Sequence, residues 1–454
     1  MRQKFDPQRY FHWSTASTSK IVREYEEKYN RISEILDENP EILDLAAADL
    51  RKLSTGGRKG RKATYTAENL LRAVIVRQIE GTAFRGTMIQ LAHNPFLQDF
   101  LRLGTRPVMD YSLIDRAFCA MSPRTWEKIN AQLTAYALKE ERISPETLRV
   151  DTTVVESNIH WPTDTSLLWD SFRKLHVLLR RACEISPGII DNRFHVRKVK
   201  KLHLYITRYS ASTNKKRQRQ VQKCQRKLLE QVERIYRIAE DFCEIAAEWA
   251  SLPILQIGWE IESYLPKIRQ VIAVARRAWL EGEVVPAKDR IFSIFEDHTE
   301  LIKRGRRHKP VEFGHMVLLG QTSERFITQY DVMRKKIPDC QLPETILERH
   351  EESFGERPEK LVADKGFCGN PEAMNALREK VKVVAIPQRL KDFTDDAFVA
   401  LQHFRAGIEG SISVLKRAYG LLRSQYRGFR NFVSHVAAGV FCHNLVLLTG
   451  PPGS

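Results

Sequence analysis

Apolar side chains recur at helical spacing through the first third of the chain. Residues 1 to about 53 carry charge-interspersed helical patterning. Ser54 to Thr64, STGGRKGRKAT, interrupts it with three glycines and four basic side chains and reads as a basic linker. Thr66 is placed to cap a helix whose apolar face is Leu70, Leu71, Val74, Ile75 and Ile79, with Gly81 as its stop. Shorter helices are predicted over Thr87 to His93, Asn94 to Leu103, Ser112 to Met121 and Ser122 to Glu140. Ser122 and Pro123 form a strong helix start.

At Leu148 the period changes. LRVDTTVVES concentrates β-branched residues without glycine or proline and predicts a strand. Further strands are expected at Val311 to Gly320, Arg325 to Met333, Lys360 to Asp364 and Val381 to Ile386, the first two of these paired as a hairpin across Gln321 to Glu324. Helical patterns lie between and after them, so the fold class is α/β with a mixed sheet flanked by helices. The organisation expected is a helical DNA-binding or dimerisation region over 1–145 and a catalytic domain from 146–165 and 291–449. A basic helical insertion fills 166–290.

The 454 residues are too many for one ordinary hydrophobic core. A 43% hydrophobic and 28% charged composition, with no apolar run of about 18 residues, excludes a membrane-spanning helix. Seven scattered cysteines without a CxxC pair argue against a disulfide framework or zinc finger and favour a reducing cytoplasm. The net charge of +17 points to a polyanionic partner. Most of it is local: residues 171–230 contain 17 Lys plus Arg against Glu184, Asp191 and Glu230. So one-sided a run is expected to meet a DNA backbone, with Lys215, Lys216, Arg217 and Arg219 at its densest point; a solvated helical hairpin is the plainer alternative.

Three acids stand out by context. Asp151 sits inside a strand among Val150, Val154 and Val155, where an ionised carboxylate needs a cation or donors. Asp364 ends the apolar run LVA, at a strand's carboxyl end where open α/β sheets place ligands. Glu409 shares a helix face with Arg405, Ile412 and Lys416. Singly, each has an ordinary structural explanation. Together, two strand aspartates and a helical glutamate make a hard oxygen-donor set suited to Mg²⁺ or Mn²⁺ and to phosphoryl transfer.

The order and wording of VDTTVVESNIHWPTDTSLL, SIFEDHTELIKRGRRHKPVEFGHMVLL, LVADKGFCGNPE and RAGIEGSISVLKRAYGLLRSQYRG resemble the insertion-sequence transposases with a DDE triad on an RNase H-like fold, most of all the ISNCY group. That resemblance implies Asp151, Asp364 and Glu409 as catalytic ligands of two Mg²⁺ or Mn²⁺ ions. It implies Arg405 and Lys416 as phosphate contacts and double-stranded DNA, both element ends and target, as substrate. A homodimer or higher assembly in a synaptic complex, a nucleoid-associated cytoplasmic location and no membrane partner follow from the same likeness. The family signature Tyr, two residues, Arg, three residues, Glu, six residues, Lys is met at Arg405, Glu409 and Lys416, but Gln402 stands at the tyrosine position. The helical insertion after the first strand is a second departure from several relatives. Trp161, in the loop His160 to Asp164, is a further candidate DNA contact, with a turn packed on the core as the alternative. Ser112 to Met121 is a candidate recognition helix. His298, His308 and His315 lack metal-ligand spacing, and no zinc site is expected. The rival functions are an RNase H-like nuclease that cuts without joining and a non-catalytic DNA-binding repressor of transposition.

Overall fold

The β-branched run at 147–156 forms the strand around which one half of the molecule is organised. The computed structural model describes residues 3–5, 19–53, 63–190, 193–249, 251–303, 309–388 and 395–451. Most of the basic linker and His308 lie outside the described residues. Contacts divide the chain into one unit of 1–157 with 314–454 and a second of 158–313.

The first unit begins with helices α1 (Lys20–Glu38), α2 (Pro40–Leu50), α3 (Ala67–Ile79), α4 (Phe84–His93), α5 (Pro95–Phe100), α6 (Tyr111–Ala120) and α7 (Pro123–Lys139). Thr66 caps α3 in a reciprocal box with Asn69, with backbone-to-side-chain distances of 3.1 and 2.9 Å. Ser122 caps α7, with Pro123 in its first turn. Strand β1 (Thr147–Glu156) follows.

The second unit contains α8 (Asp164–Ile185), α9 (Val196–Tyr209), α10 (Lys215–Glu248) and α11 (Leu252–Trp279), then the short strand β2 (Glu300–Lys303). Its core is drawn from helical stripes such as Val221, Cys224, Leu228, Val232, Ile235, Ala239 and Phe242 of α10. Gly258 lets α11 approach α10 closely, since a methyl there would lie 3.0 Å from Ala246 Cβ.

The chain returns to the first unit along β3 (Val311–Gln321). It continues through β4 (Ile327–Val332), α12 (Pro343–Phe354), β5 (Lys360–Val362), α13 (Pro371–Lys380), β6 (Val383–Ala385), α14 (Asp396–Arg417) and α15 (Phe429–Leu447). Strand β3 runs antiparallel to both β1 and β4, whereas β5 is parallel to β1 and β6 parallel to β5. The predicted hairpin is β3–β4, closed by Thr322 N–H donating to the Phe326 carbonyl. Strand β2 is too short and too polar at its ends to announce itself in the sequence.

Helix α15 is buried almost continuously from Phe432 to Leu445 and shares one apolar core with the N-terminal helices and with β3 and β4. Asn444 reaches from it to β4, accepting from Ile327 N–H at 2.9 Å and donating to the same residue's carbonyl at 2.8 Å. An amide that satisfies both backbone groups of a strand residue fastens the helix to the sheet. Helix α6 buries Ile114, Ala117 and Phe118, and the Phe118 ring stacks on Tyr426 at 3.9 Å.

Where β3 passes β1 the backbones are too close for any side chain at Gly314, because a Cβ there would stand 2.0 Å from the Val155 carbonyl oxygen. Backbone cannot step aside as a flexible side chain can. Gly314→Ala is therefore expected to lower stability by about 3 kcal/mol, read as a lower urea midpoint with an unchanged slope. A midpoint within error of wild type would show that the strands separate freely.

Candidate active site

The parallel register of β1 with β5 ends at the pair Arg149 and Val362, two residues before Asp151 on one strand and two before Asp364 on the other. Asp364 lies just past the end of β5 and accepts from Gly366 N–H at 2.9 Å, which starts the short 3₁₀ turn Lys365–Phe367. Glu409 approaches from α14, and the Arg405 guanidinium joins it to the strand. Arg405 Nη2 is 3.1 Å from Glu409 Oε1 and Nη1 is 3.6 Å from Asp151 Oδ2. The three predicted acids therefore converge on one place in the first unit.

The electrostatics agree with that convergence. Burial is the main cause that raises the Asp151 carboxyl from 3.8 to about 6; the Thr152 N–H, 2.7 Å from its Oδ1, opposes the shift. Asp364 and Glu409 raise it further, and Arg405 lowers it. Asp151 is only 16% exposed, whereas Glu409 is 64% exposed. The strand acid carries the desolvation and the helical acid remains accessible.

Oxygen-only donors of this kind suit a hard divalent cation. Among the described residues, however, no group of three or more His, Cys, Asp and Glu side chains is spaced to hold one ion. Arg405 instead bridges Asp151 and Glu409 and supplies the positive charge between them. The donor chemistry fits, and the carboxylates stand wider than a closed coordination shell.

Gln402, at the signature's tyrosine position, does something different from reaching into this site. Its Nε2 donates to the Ala385 carbonyl at 2.7 Å and the Ala363 carbonyl at 3.3 Å, tying α14 to the ends of β6 and β5. Lys416 lies in the last turn of the same helix, seven residues and about 10 Å along the axis from Glu409.

Several residues bordering the acids carry no sequence signal. Asp339 Oδ2 is 3.5 Å from Thr152 Oγ1, and a methyl added at Gly366 would lie 3.3 Å from it and 3.0 Å from Asp364 Oδ1. A fourth carboxylate thus stands beside the predicted three. Arg149, two positions before Asp151 on the same face of β1, is 3% exposed and donates to the Phe404 carbonyl of α14 at 2.8 Å. Only the alternation Arg-x-Asp within the strand could have drawn attention to it.

Residues 296–445 match the family model described as the transposase DDE domain. The match supports a DDE transposase. It spans about a third of the chain and contains Asp364, Arg405, Glu409 and Lys416, with Asp151 ahead of it. Metal and DNA binding are expected for this family. No curated protein and no solved structure matched the chain.

The other predicted residues lie in the second unit or away from the acids. Lys215, Lys216, Arg217 and Arg219 are all exposed at the start of α10, and none makes an ion pair among the described residues. Trp161 is 64% exposed and stands edge-on to Phe313 at 5.2 Å. Neighbouring His160 lies 3.5 Å from the buried Asp170. His315 is buried with Nδ1 2.9 Å from the Met333 carbonyl, and His298 pairs with Glu296 at 2.8 Å. All seven cysteines are free thiols. No helix among the described residues is long and apolar enough to cross a membrane.

The raised Asp151 pKa has a consequence for stability. A carboxyl that binds its proton more tightly when folded stabilises the fold while protonated, and that contribution is lost as the pH rises from about 4 to about 6. Asp151→Asn is therefore expected to stabilise the metal-free protein at about pH 7.5, by on the order of 2 kcal/mol, and to give no gain below about pH 4. Urea unfolding at both pH values checks this. Equal stability of mutant and wild type at the higher pH would mean that the carboxylate carries no burial penalty.

Proposed function

We propose that the chain is a transposase that binds the ends of its own element as double-stranded DNA, cleaves there, and transfers the 3′ ends into target DNA. The grouping of Asp151, Asp364 and Glu409, with Arg405 3.6 Å from the first and 3.1 Å from the last, is the observation that carries this reading. The strand order β4-β3-β1-β5-β6, antiparallel over the first three and parallel over the last three, favours an RNase H-like core.

In this reading Asp151, Asp364 and Glu409 hold two Mg²⁺ or Mn²⁺ ions. Bound there, divalent ions would activate a nucleophilic oxygen and stabilise the leaving oxygen of an in-line displacement. The chain's own contribution is charge and position. Asp151, with a pKa of about 6, is ionised at neutral pH and offers its carboxylate without a prior proton transfer. Arg405 brings fixed positive charge beside the acids and Lys416 brings it further along the same helix, and the guanidinium fork of Arg405 is matched to phosphate oxygens. The exposed cations at the start of α10 supply sequence-independent affinity for the DNA backbone. Trp161 offers an exposed aromatic face to the same ligand. Joining two element ends calls for a homodimer or a larger synaptic complex.

The test is an assay of the purified chain with Mg²⁺, a supercoiled target and a duplex taken from the DNA flanking its gene. Joined product from wild type, and at least a hundredfold less from Asp364→Asn at unchanged DNA binding, is the expected result. Asp151→Asn and Glu409→Gln should behave alike. Cleavage without joining would replace the transposase by a nuclease, and binding with neither reaction would favour a repressor.

Neutralising Lys215, Lys216, Arg217 and Arg219 together should weaken DNA binding. It should also flatten the dependence of log affinity on log salt by about 0.9 for each phosphate that is no longer neutralised. Fluorescence anisotropy across a salt series measures it, and an unaltered slope would remove α10 from the DNA path.

A further inference from the structure

Helix α14 carries Arg405 and Glu409 and buries Ile408 and Leu415 in the core of the first unit, with Ser411 buried between them. A chain of buried polar groups adds direction to that apolar contact. Arg149 of β1 donates through Nη1 to the Phe404 carbonyl at 2.8 Å and through Nε to Gln321 Oε1 at 2.9 Å. Its guanidinium carbon lies 4.5 Å from the Phe404 ring centroid. Gln321, at the end of β3, passes the connection on by donating from Nε2 to Ser411 Oγ at 2.8 Å. Arg149, Gln321 and Ser411 are 3%, 0% and 5% exposed.

Gly407 completes the fit. A Cβ at this position would stand 2.5 Å from Arg149 Nη1, so the guanidinium occupies the space that any side chain there would need. The helix is thus gripped at Phe404, Gly407 and Ser411, one face that brackets Arg405 and Glu409 in sequence. The grip originates two residues from Asp151 on the same strand. A slip of α14 by one residue would shift Glu409 by about 1.5 Å along the axis and turn it away from the strand.

The burial is also expensive. Arg149 Nη2 is enclosed without a hydrogen-bond partner, and an apolar side chain would fill such a position at lower cost. What the guanidinium provides that an apolar group cannot is direction, two fixed donors aimed at two different elements.

We propose that Arg149, acting through Gln321, Ser411 and the Phe404 carbonyl in the space left by Gly407, is a positioning residue that sets the separation of Asp151 and Glu409 and thereby the affinity of the acidic site for a divalent cation. The inference rests on the reading of those acids as metal ligands.

The test is Mn²⁺ binding to the purified full chain, followed by the electron paramagnetic resonance of the free ion and made below each variant's unfolding temperature. Arg149→Met and Gly407→Ala are each expected to weaken binding tenfold or more, with faster amide exchange over residues 404–411. Arg149→Lys should recover part of the loss. Adding Gly407→Ala to Arg149→Met should cost little more, because the methyl then has no guanidinium to displace.

Wild-type Mn²⁺ affinity in Arg149→Met, or additive effects in the double variant, would overturn the proposal. Should Arg149→Met fail to fold, Gly407→Ala and Arg149→Lys decide it alone, and wild-type affinity in Gly407→Ala then counts against it. Glu409→Gln separates the two levels. Weakened binding there beside an unaffected Arg149→Met refutes the positioning role only, whereas unweakened binding in Glu409→Gln refutes the metal site and the positioning role with it.

Discussion

An ionisable carboxylate in the central strand of a sheet is the constraint around which the first unit is arranged. Asp151 is desolvated by β1's neighbours and pressed further by Asp364 and Glu409, so its charged form is disfavoured by everything near it except one backbone N–H and Arg405. A fold selected for stability alone has no use for three acids brought together from β1, the end of β5 and α14. Arg405 offsets part of that charge, 3.6 Å from Asp151 and 3.1 Å from Glu409, and the oxygen-only donor set is of the kind that suits a hard cation.

Each acid is delivered by an element fastened through polar groups. The parallel pairing of β1 and β5 runs to two residues before both Asp151 and Asp364, so sheet register brings those two acids near each other. Glu409 has no such guarantee, because a helix lying on a sheet can slide or rotate. Gln402 ties α14 to the ends of β5 and β6, and Arg149 with Gln321 ties it to β1 and β3. Gln402 thus provides an attachment at a position where the family signature has a tyrosine.

Much of this was legible in the sequence, for identifiable reasons. A β-branched run gave away β1, capping residues marked α3 and α7, and the acids were conspicuous because a charged residue at a strand centre or strand end is unusual. Strand β2 was not legible, being only four residues long. Nor were Arg149, Gln321 and Asp339, whose significance lies in partners far away along the chain: Arg149 and Phe404 are separated by 255 residues. Periodicity records which face of an element is apolar, and it says nothing about which polar group on another element that face will meet.

The division of charge along the chain gives the two units different physical characters. Positive charge is concentrated on exposed α9 and the start of α10 in the second unit, where it is solvated and screened by salt. In the first unit the decisive charges are few, partly buried and engaged at 3.1 to 3.6 Å, where salt screens them far less. Long-range attraction for a polyanion and short-range geometry at the acids therefore respond to different variables. Ionic strength acts mainly on the first, while the seating of α14 acts on the second, because a carboxylate on a displaced helix keeps its charge and loses its place.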